Sequence, residues 1–525
     1  MTEIKQGSGI LDRRKLPIGI QTFREMREEN YYYVDKTTHI RRLIDEGKHY
    51  FLSRPRRFGK SLFLDTLKEL FEGNEPLFDR LHIHDHWDWR VRYPVVRLSF
   101  GSGNFKEAGY LQANLLDQLS AIERRTGVVV EAETVPGRFA SLIEALHERA
   151  GQPVAVLVDE YDKPILDALD VPEVARANRD FLRGLYATIK DSDAHIKFAF
   201  LTGVSKFSKV SLFSGLNNLK DITLDPRYSS ICGYTDVDLD TVFAPELPGL
   251  DRDEIRRWYN GYSWRGEEKV YNPFDILLLF DSREFGAYWF ETGTPTFLVE
   301  TLISRGVSAL VLDNMLGSDE LLSTFDVDHI APEALLFQTG YLTIRHTEPR
   351  GGEMYYRLSY PNQEVRQSLN RSLLNHLTGD PSQRAEHRAR LYDLLLINDF
   401  VGMESLFKAF FASIPYQWHT NNDIANYEGY YASVFYSYFA SVGLDITVED
   451  SSSHGRLDMG VRFNGNVYLF EFKVVELASE GAAMAQLKAQ HYADKYRDLR
   501  EPIHLIAVEF SREIRNIVGF ETALA

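Results

Sequence analysis

The stretch Gly455-Arg456-Leu457-Asp458-Met459-Gly460-Val461-Arg462-Phe463-Asn464-Gly465-Asn466-Val467-Tyr468-Leu469-Phe470-Glu471-Phe472-Lys473 reads as a β-hairpin whose register can be counted. Asn464-Gly465 suits a two-residue type I′ turn, in which both central residues need positive φ, and the flanks alternate as strands do. Phe463 then opposes Asn466, and counting outward sets Met459 against Phe470 and Asp458 against Glu471. Alternation puts Lys473 on the Glu471 face, while Met459, Val461, Phe463, Tyr468, Phe470 and Phe472 share the other. The expectation is one core face and one charged face.

Like charges opposed across a ladder, with Cβ atoms roughly 5 Å apart, destabilise a sheet unless something offsets the repulsion. A divalent cation would do so, and paired carboxylates suit Mg²⁺, with Mn²⁺ as an alternative. Lys473 could then steer or help deprotonate an attacking water, or stabilise developing negative charge. The plainer alternative is a surface hairpin in which Lys473 neutralises Glu471. Asp458 and Glu471-Phe472-Lys473 resemble the signature of the PD-(D/E)XK nuclease superfamily. That resemblance implies a restriction-endonuclease-like α/β domain acting on DNA or RNA, with Glu428, Asp458, Glu471 and Lys473 catalytic and Asp458 and Glu471 holding the metal. Glu428, in the run beginning Asn426-Tyr427, would be the third acid at the start of a preceding helix, although a carboxylate there also complements a helix dipole. Gln486 would border the site from the following helix.

A second chemical centre lies near the other end. Lys48-His49-Tyr50-Phe51-Leu52-Ser53 reads as a strand, followed by Arg54-Pro55-Arg56-Arg57-Phe58-Gly59-Lys60-Ser61 and a helical pattern from Leu62 to Phe71. Strand, loop, Gly-Lys-Ser and helix form a phosphate-binding layout: backbone N–H groups at a helix N-terminus, a lysine for the β/γ-phosphates and a hydroxyl for Mg²⁺. Arg54 stands where the general pattern has its first glycine. The apolar run Pro153–Val158 suits a buried parallel strand and ends in Asp159-Glu160. There Asp159 would hold Mg²⁺ and Glu160 would polarise the attacking water. The strand Ile196–Leu201 ends in Thr202, placed as a γ-phosphate sensor would be, outside the carboxyl end of a parallel strand. Arg56 and Arg57 could contact phosphate as arginine fingers do, or cap the loop or pair with Asp162 or Glu160.

The loop, together with Leu16-Pro17-Ile18-Gly19-Ile20, Tyr33-Val34-Asp35-Lys36-Thr37, Val158-Asp159-Glu160-Tyr161-Asp162-Lys163-Pro164 and Thr202-Gly203-Val204-Ser205-Lys206-Phe207-Ser208-Lys209, resembles the bacterial AAA-ATPase-like family. Members of that family commonly carry a C-terminal PD-(D/E)XK domain. The resemblance implies ATP binding through Arg56, Arg57, Gly59, Lys60, Ser61, Asp159 and Thr202, with Ser61 and Asp159 on the metal. It also makes arginine at position 54 ordinary.

The fold expected is α/β: an N-terminal P-loop NTPase parallel sheet flanked by helices over residues 1–240, a helical lid or spacer over 241–405, and the nuclease-like domain over 406–525. Length of 525 residues, 44% hydrophobic and 26% charged, agrees with several conventional cores. A single cysteine, Cys232, precludes an intrachain disulfide, and no apolar run is long enough for a membrane span, so the cytoplasm is the expected location. The net charge of −17 argues against a surface that coats nucleic acid. Contact must be local, with Arg54, Arg56, Arg57 and Lys60 or Lys488, Lys495, Arg497 and Arg500 as candidates. His82, His84 and His86 could share the face of a strand as zinc ligands do, though a fourth ligand is not evident. The aromatics Trp258, Tyr262, Trp264, Tyr271 and Trp289 are expected to be packing residues. The sequence leaves room for an oligomer. The alternative to an ATP-regulated nuclease is a nucleotide-dependent switch or scaffold whose nuclease-like domain binds without cleaving.

Overall fold

The computed structural model describes residues 13–206, 218–293, 329–377, 381–413, 428–452 and 455–525, with short pieces between 298 and 326. Phe207-Ser208-Lys209 and Asn426-Tyr427 fall outside the described residues, as does the side chain of Glu428. The chain forms two compact units, one from Met1–Trp289 with Leu316–Arg357, the other from Phe290–Met315 with Leu358–Ala525.

The first unit is built on five parallel strands: β1 (His49–Ser53), β2 (Val95–Ser99), β3 (Val154–Asp159), β4 (Ile196–Gly203) and β5 (Lys220–Asp221), in the order β2-β3-β4-β1-β5. Both β1 and β3 are buried along their whole length, as parallel strands covered on both faces must be. Helix α1 (Lys60–Phe71) follows β1 and packs on β2, β3 and β4, while Tyr110–Thr126 and Val135–Ala150 pack on β2 and β3. Because β4 lies between β1 and β3, the ends of three adjacent strands bring Ser53, Asp159 and Thr202 to one edge of the sheet.

Residues 241–405 are shared between the units. Segment 241–289 is fixed to the first by a core in which Ile255, Tyr259, Tyr271 and Ile276 meet Tyr32 and Val34. Alongside the helices expected there, strands Met315–Ser318, Thr343–Arg350 and Glu353–Ser359 make a small sheet. Gly351 and Gly352, with φ of 60° and 90°, turn its hairpin. The histidine cluster forms no strand: His84–His86 is a 3-10 turn, and the rings of His82 and His86 stack 4.5 Å apart.

In the second unit, β6 (Asp445–Ser452), β7 (Gly455–Phe463), β8 (Asn466–Val474), β9 (Ile503–Ser511) and β10 (Asn516–Leu524) form one sheet in chain order. Only β8 and β9 pair in parallel. The β7–β8 register runs from Phe463–Asn466 to Met459–Phe470, and Asn464 and Gly465 have the positive φ values of 48° and 71° that the turn requires. One face packs Phe470 and Phe472 against Phe435 and Phe439 of helix α2 (Glu428–Val442). The other is not an open charged face. Helix α3 (Ala482–Ala489) covers it, with Ala483, Met484 and Leu487 set on Leu457, Val467 and Leu469.

Two glycines offer a contrast that tests the packing of the first unit. A Cβ on Gly203 would fall on Asp162 Oδ1 and lie 2.6 Å from the Tyr161 ring, whereas Gly184, exposed in helix Pro172–Asp191, has nothing within 4 Å. Gly203→Ala should destabilise by about 1–3 kcal/mol. Gly184→Ala should stabilise by roughly 0.5–1 kcal/mol, and thermal melting of the two variants should move in opposite directions.

Candidate functional site

At the end of β1 the chain turns through Arg54–Gly59 into α1. Gly59 adopts φ 94°, a left-handed conformation suited to glycine, and its carbonyl accepts the Phe63 N–H to begin the helix. The loop is held from within by Lys60, whose ammonium donates to the carbonyls of Arg54 and Pro55, both at 2.9 Å. Burial lowers the Lys60 pKa, and the carboxylates of Asp159 and Glu160 oppose that shift. Ser61 follows, half-buried, while Arg56 and Arg57 are exposed. Arg57 lies over the Phe274 ring at 4.8 Å, and among the described residues neither arginine forms an ion pair with Asp162 or Glu160. Asp162 is instead bound by the Val204 N–H and by the N–H and hydroxyl of Ser205.

Across the strand ends, Asp159 and Thr202 are buried at 3% and 0% exposure. Asp159 Oδ1 and Thr202 Oγ1 have no hydrogen-bond partner among the described residues, a costly condition for polar atoms without a ligand. Glu160 has φ 52°, and its pKa is raised by burial against the pull of Lys60. Hard oxygen donors beside a buried ammonium fit a nucleotide phosphate with Mg²⁺.

In the second unit Glu471 is fully buried and its Oε1 lies 3.2 Å from the Lys473 ammonium. The expected Asp458–Glu471 rung is not among the ladder pairs. Half-buried Asp458 engages the next strand through its side chain, Oδ2 accepting the Phe472 N–H at 2.9 Å. On β9, Glu509 pairs with Lys473 in parallel register, and its carboxylate accepts the N–H groups of Gly481 and Ala483 at the start of α3. Helix α2 begins at Glu428, and Gln486 on α3 reaches the Tyr492 hydroxyl at 3.5 Å. Lys488, Lys495, Arg497 and Arg500 are all exposed. Among the described residues no group of three or more His, Cys, Asp or Glu side chains is placed to hold a metal ion, and no helix is long and apolar enough to cross a membrane.

Residues 17–213 match the family described as Predicted AAA-ATPase, and residues 426–520 match the PD-(D/E)XK nuclease superfamily. The chain is also 60% identical over 511 residues to a protein of Azotobacter chroococcum mcd 1 titled "Uncharacterized protein in vnfD 5'region", covering 97% of this chain and 99% of that one. This chain belongs to the AAA-ATPase-like family with a C-terminal PD-(D/E)XK domain. No solved structure matches it significantly. Domains of these two kinds usually use a nucleotide and divalent metal ions.

What sequence reasoning missed is the work of Arg54. It is not available to nucleic acid, because its guanidinium is fully buried. It donates to the carbonyls of Ser53, Thr223 and Tyr228 at 2.8, 3.0 and 2.9 Å and lies 4.1 Å from the Trp264 ring centre. Burial pushes its pKa down to about 10. The signal was the arginine itself: a long cation where the general pattern has glycine must find acceptors of its own. Arg54→Lys keeps a charge but loses the fork that reaches three carbonyls. We expect it to lower stability by at least about 2 kcal/mol, through carbonyls left without donors, and to lower the melting temperature more than Arg56→Lys does.

Proposed function

We propose that this chain binds and hydrolyses ATP in its first unit and carries a metal-dependent nucleic-acid phosphodiesterase in its second. The first half rests on Asp159 Oδ1 and Thr202 Oγ1, two buried oxygens without hydrogen-bond partners among the described residues, at adjacent strand ends beside Lys60. Lys60 would bind the β/γ-phosphates, with the N–H groups at the start of α1 and the exposed Arg56 and Arg57 completing the anion site. Ser61 and Asp159 would hold Mg²⁺, Thr202 would contact the γ-phosphate, and Glu160 would orient the attacking water. A carboxylate whose pKa is raised is the better proton acceptor for that role.

The second half is supported by the Glu471–Lys473 ion pair at 3.2 Å and by Asp458 on the neighbouring strand, where its carboxylate accepts the Phe472 N–H between those two residues. Asp458 and Glu471 supply hard oxygen donors, with Glu428 at the start of α2 as the third acid. A divalent cation bound there would polarise the scissile phosphate and lower the pKa of a water. Lys473, held by Glu471, would stabilise negative charge on the phosphate and help deprotonate the attacking water. DNA or RNA would meet the unit through local contacts, for which the exposed Lys488, Lys495, Arg497 and Arg500 are suited.

Cleavage of single- and double-stranded DNA and RNA, with Mg²⁺ or Mn²⁺ and with or without ATP, tests the reading. The parent protein should cut at least one substrate, EDTA should abolish cleavage, and Lys473→Ala should slow it by about 10²–10³-fold. Asp458→Ala should leave no metal-dependent cutting. Loss of the Lys60 charge is worth roughly 1.5–3 kcal/mol, so Lys60→Ala should weaken ATP binding about 10- to 100-fold. A parent protein that binds ATP and cuts nothing would leave a nucleotide-dependent switch. An Asp458→Ala variant that cuts as well as the parent would sink the nuclease assignment.

A further inference from the structure

The chain leaves the first unit at Trp289 and enters the second at Phe290. Both backbone N–H groups at this crossing are held by fully buried carboxylates: Trp289 by Asp275 at 2.8 Å in the first unit, Phe290 by Glu364 at 3.2 Å in the second. The Trp289 side chain turns back toward the phosphate loop, and its indole N–H donates to the Arg56 carbonyl at 3.1 Å. Arg56 is the residue after Arg54 and Pro55, whose carbonyls are the two that Lys60 holds. Three successive carbonyls of the loop are therefore taken, two by the lysine that phosphates would recruit and the third by the residue at the crossing.

Gly340, with φ 92°, closes the arrangement from the other side. A Cβ there would stand 2.7 Å from Pro55 Cγ and 3.4 Å from the Trp289 ring, so the loop and the indole are both in close contact with this point of the chain. Phe58, three residues after Pro55, is wedged edge-on against Tyr262 and Trp264, with ring centres 4.8 and 5.4 Å away. A loop gripped in this way cannot shift alone, because close-packed side chains pass a displacement to their neighbours.

We propose that Trp289 is a coupling residue that reports the occupancy of the phosphate loop to the second unit. The inference rests on the reading that the loop binds ATP. A phosphate that recruits the Lys60 ammonium competes with the carbonyls of Arg54 and Pro55. The relaxation that follows moves the Arg56 carbonyl, and with it the indole and the peptide that continues to Phe290 and Glu364. Trp289 meets the loop through the Arg56 main-chain carbonyl, so its role is positional. Coupling of this kind is reciprocal: whatever nucleotide does to the second unit, ligands of the second unit do to nucleotide affinity.

The test uses the full chain, Mg²⁺ with ATPγS as the probe, and hydrogen exchange of helix Gln363–Leu377, which begins beside Glu364. In the parent, saturating nucleotide should change exchange of that helix by about fivefold or more. Trp289→Phe removes the indole N–H while keeping an aromatic ring. It should bind ATPγS within about threefold of the parent, as expected for one lost neutral hydrogen bond, and show no nucleotide-dependent change in that helix. If Trp289→Phe does not fold by circular dichroism, Glu364→Gln carries the test and should at least halve the response. Binding without any change in the parent helix, or a full response in either variant, overturns the coupling alone. A parent that binds no nucleotide overturns the ATP reading and the coupling with it.

Discussion

A guanidinium sealed inside the first unit sets the shape of its phosphate loop. Removing a charge from water is expensive unless its donors are met. Arg54 meets most of that requirement through three main-chain carbonyls and the face of Trp264, although its Nε–H has no acceptor among the described residues. Two of those carbonyls belong to Thr223 and Tyr228, beyond β5, so the arginine ties the end of β1 to a segment about 170 residues further along the chain. The loop's first residue is thereby anchored, its third is held by Trp289 and its fifth packs edge-on against two stacked aromatic rings. The general pattern uses glycine at the first position for flexibility, and this chain uses arginine for anchorage.

The second unit applies a related constraint to its acids. Covering both faces of the sheet leaves Glu471 with no exposure, and a buried carboxylate needs hydrogen-bond donors or a cation close by. Lys473 provides one at 3.2 Å. Glu509, the ladder partner of Lys473, is held in another way: its oxygens take the N–H groups that open α3, where the helix dipole favours negative charge. That bond also fixes the helix carrying Gln486 over the sheet beside Lys473.

Much of this was legible in the sequence where local chemistry decides. Asn464-Gly465 fixed a register because only a few residue pairs tolerate two positive φ angles in succession. A fully apolar run ending in Asp159 and a largely apolar one ending in Thr202 announced parallel strands with their ligand edge. The failures come from contacts distant in sequence. The sequence set Gln486 of the following helix at the border of the site but not the apolar cover that Ala483, Met484 and Leu487 lay over that face, and nothing around Arg54 announces Tyr228. Asp458 escaped the count because a side chain took the backbone N–H that regular pairing would have used. The hairpin at Gly351-Gly352, by contrast, carried an ordinary local signal within a region whose surroundings suggested helices.

The interleaving of the two units constrains how the protein can be divided. The chain crosses between them at 289–290, 315–316 and 357–358, so the segment Phe290–Met315 contributes to a unit most of whose residues come after position 357. A protease that cuts one peptide bond at any of these crossings leaves the units covalently joined through the other two. Gene fragments ending near residue 240 or starting near residue 406 would likewise separate pieces of a single core. Activities assigned to either end by truncation would then be those of incomplete bodies, and the two chemistries are better separated by point substitution than by the knife.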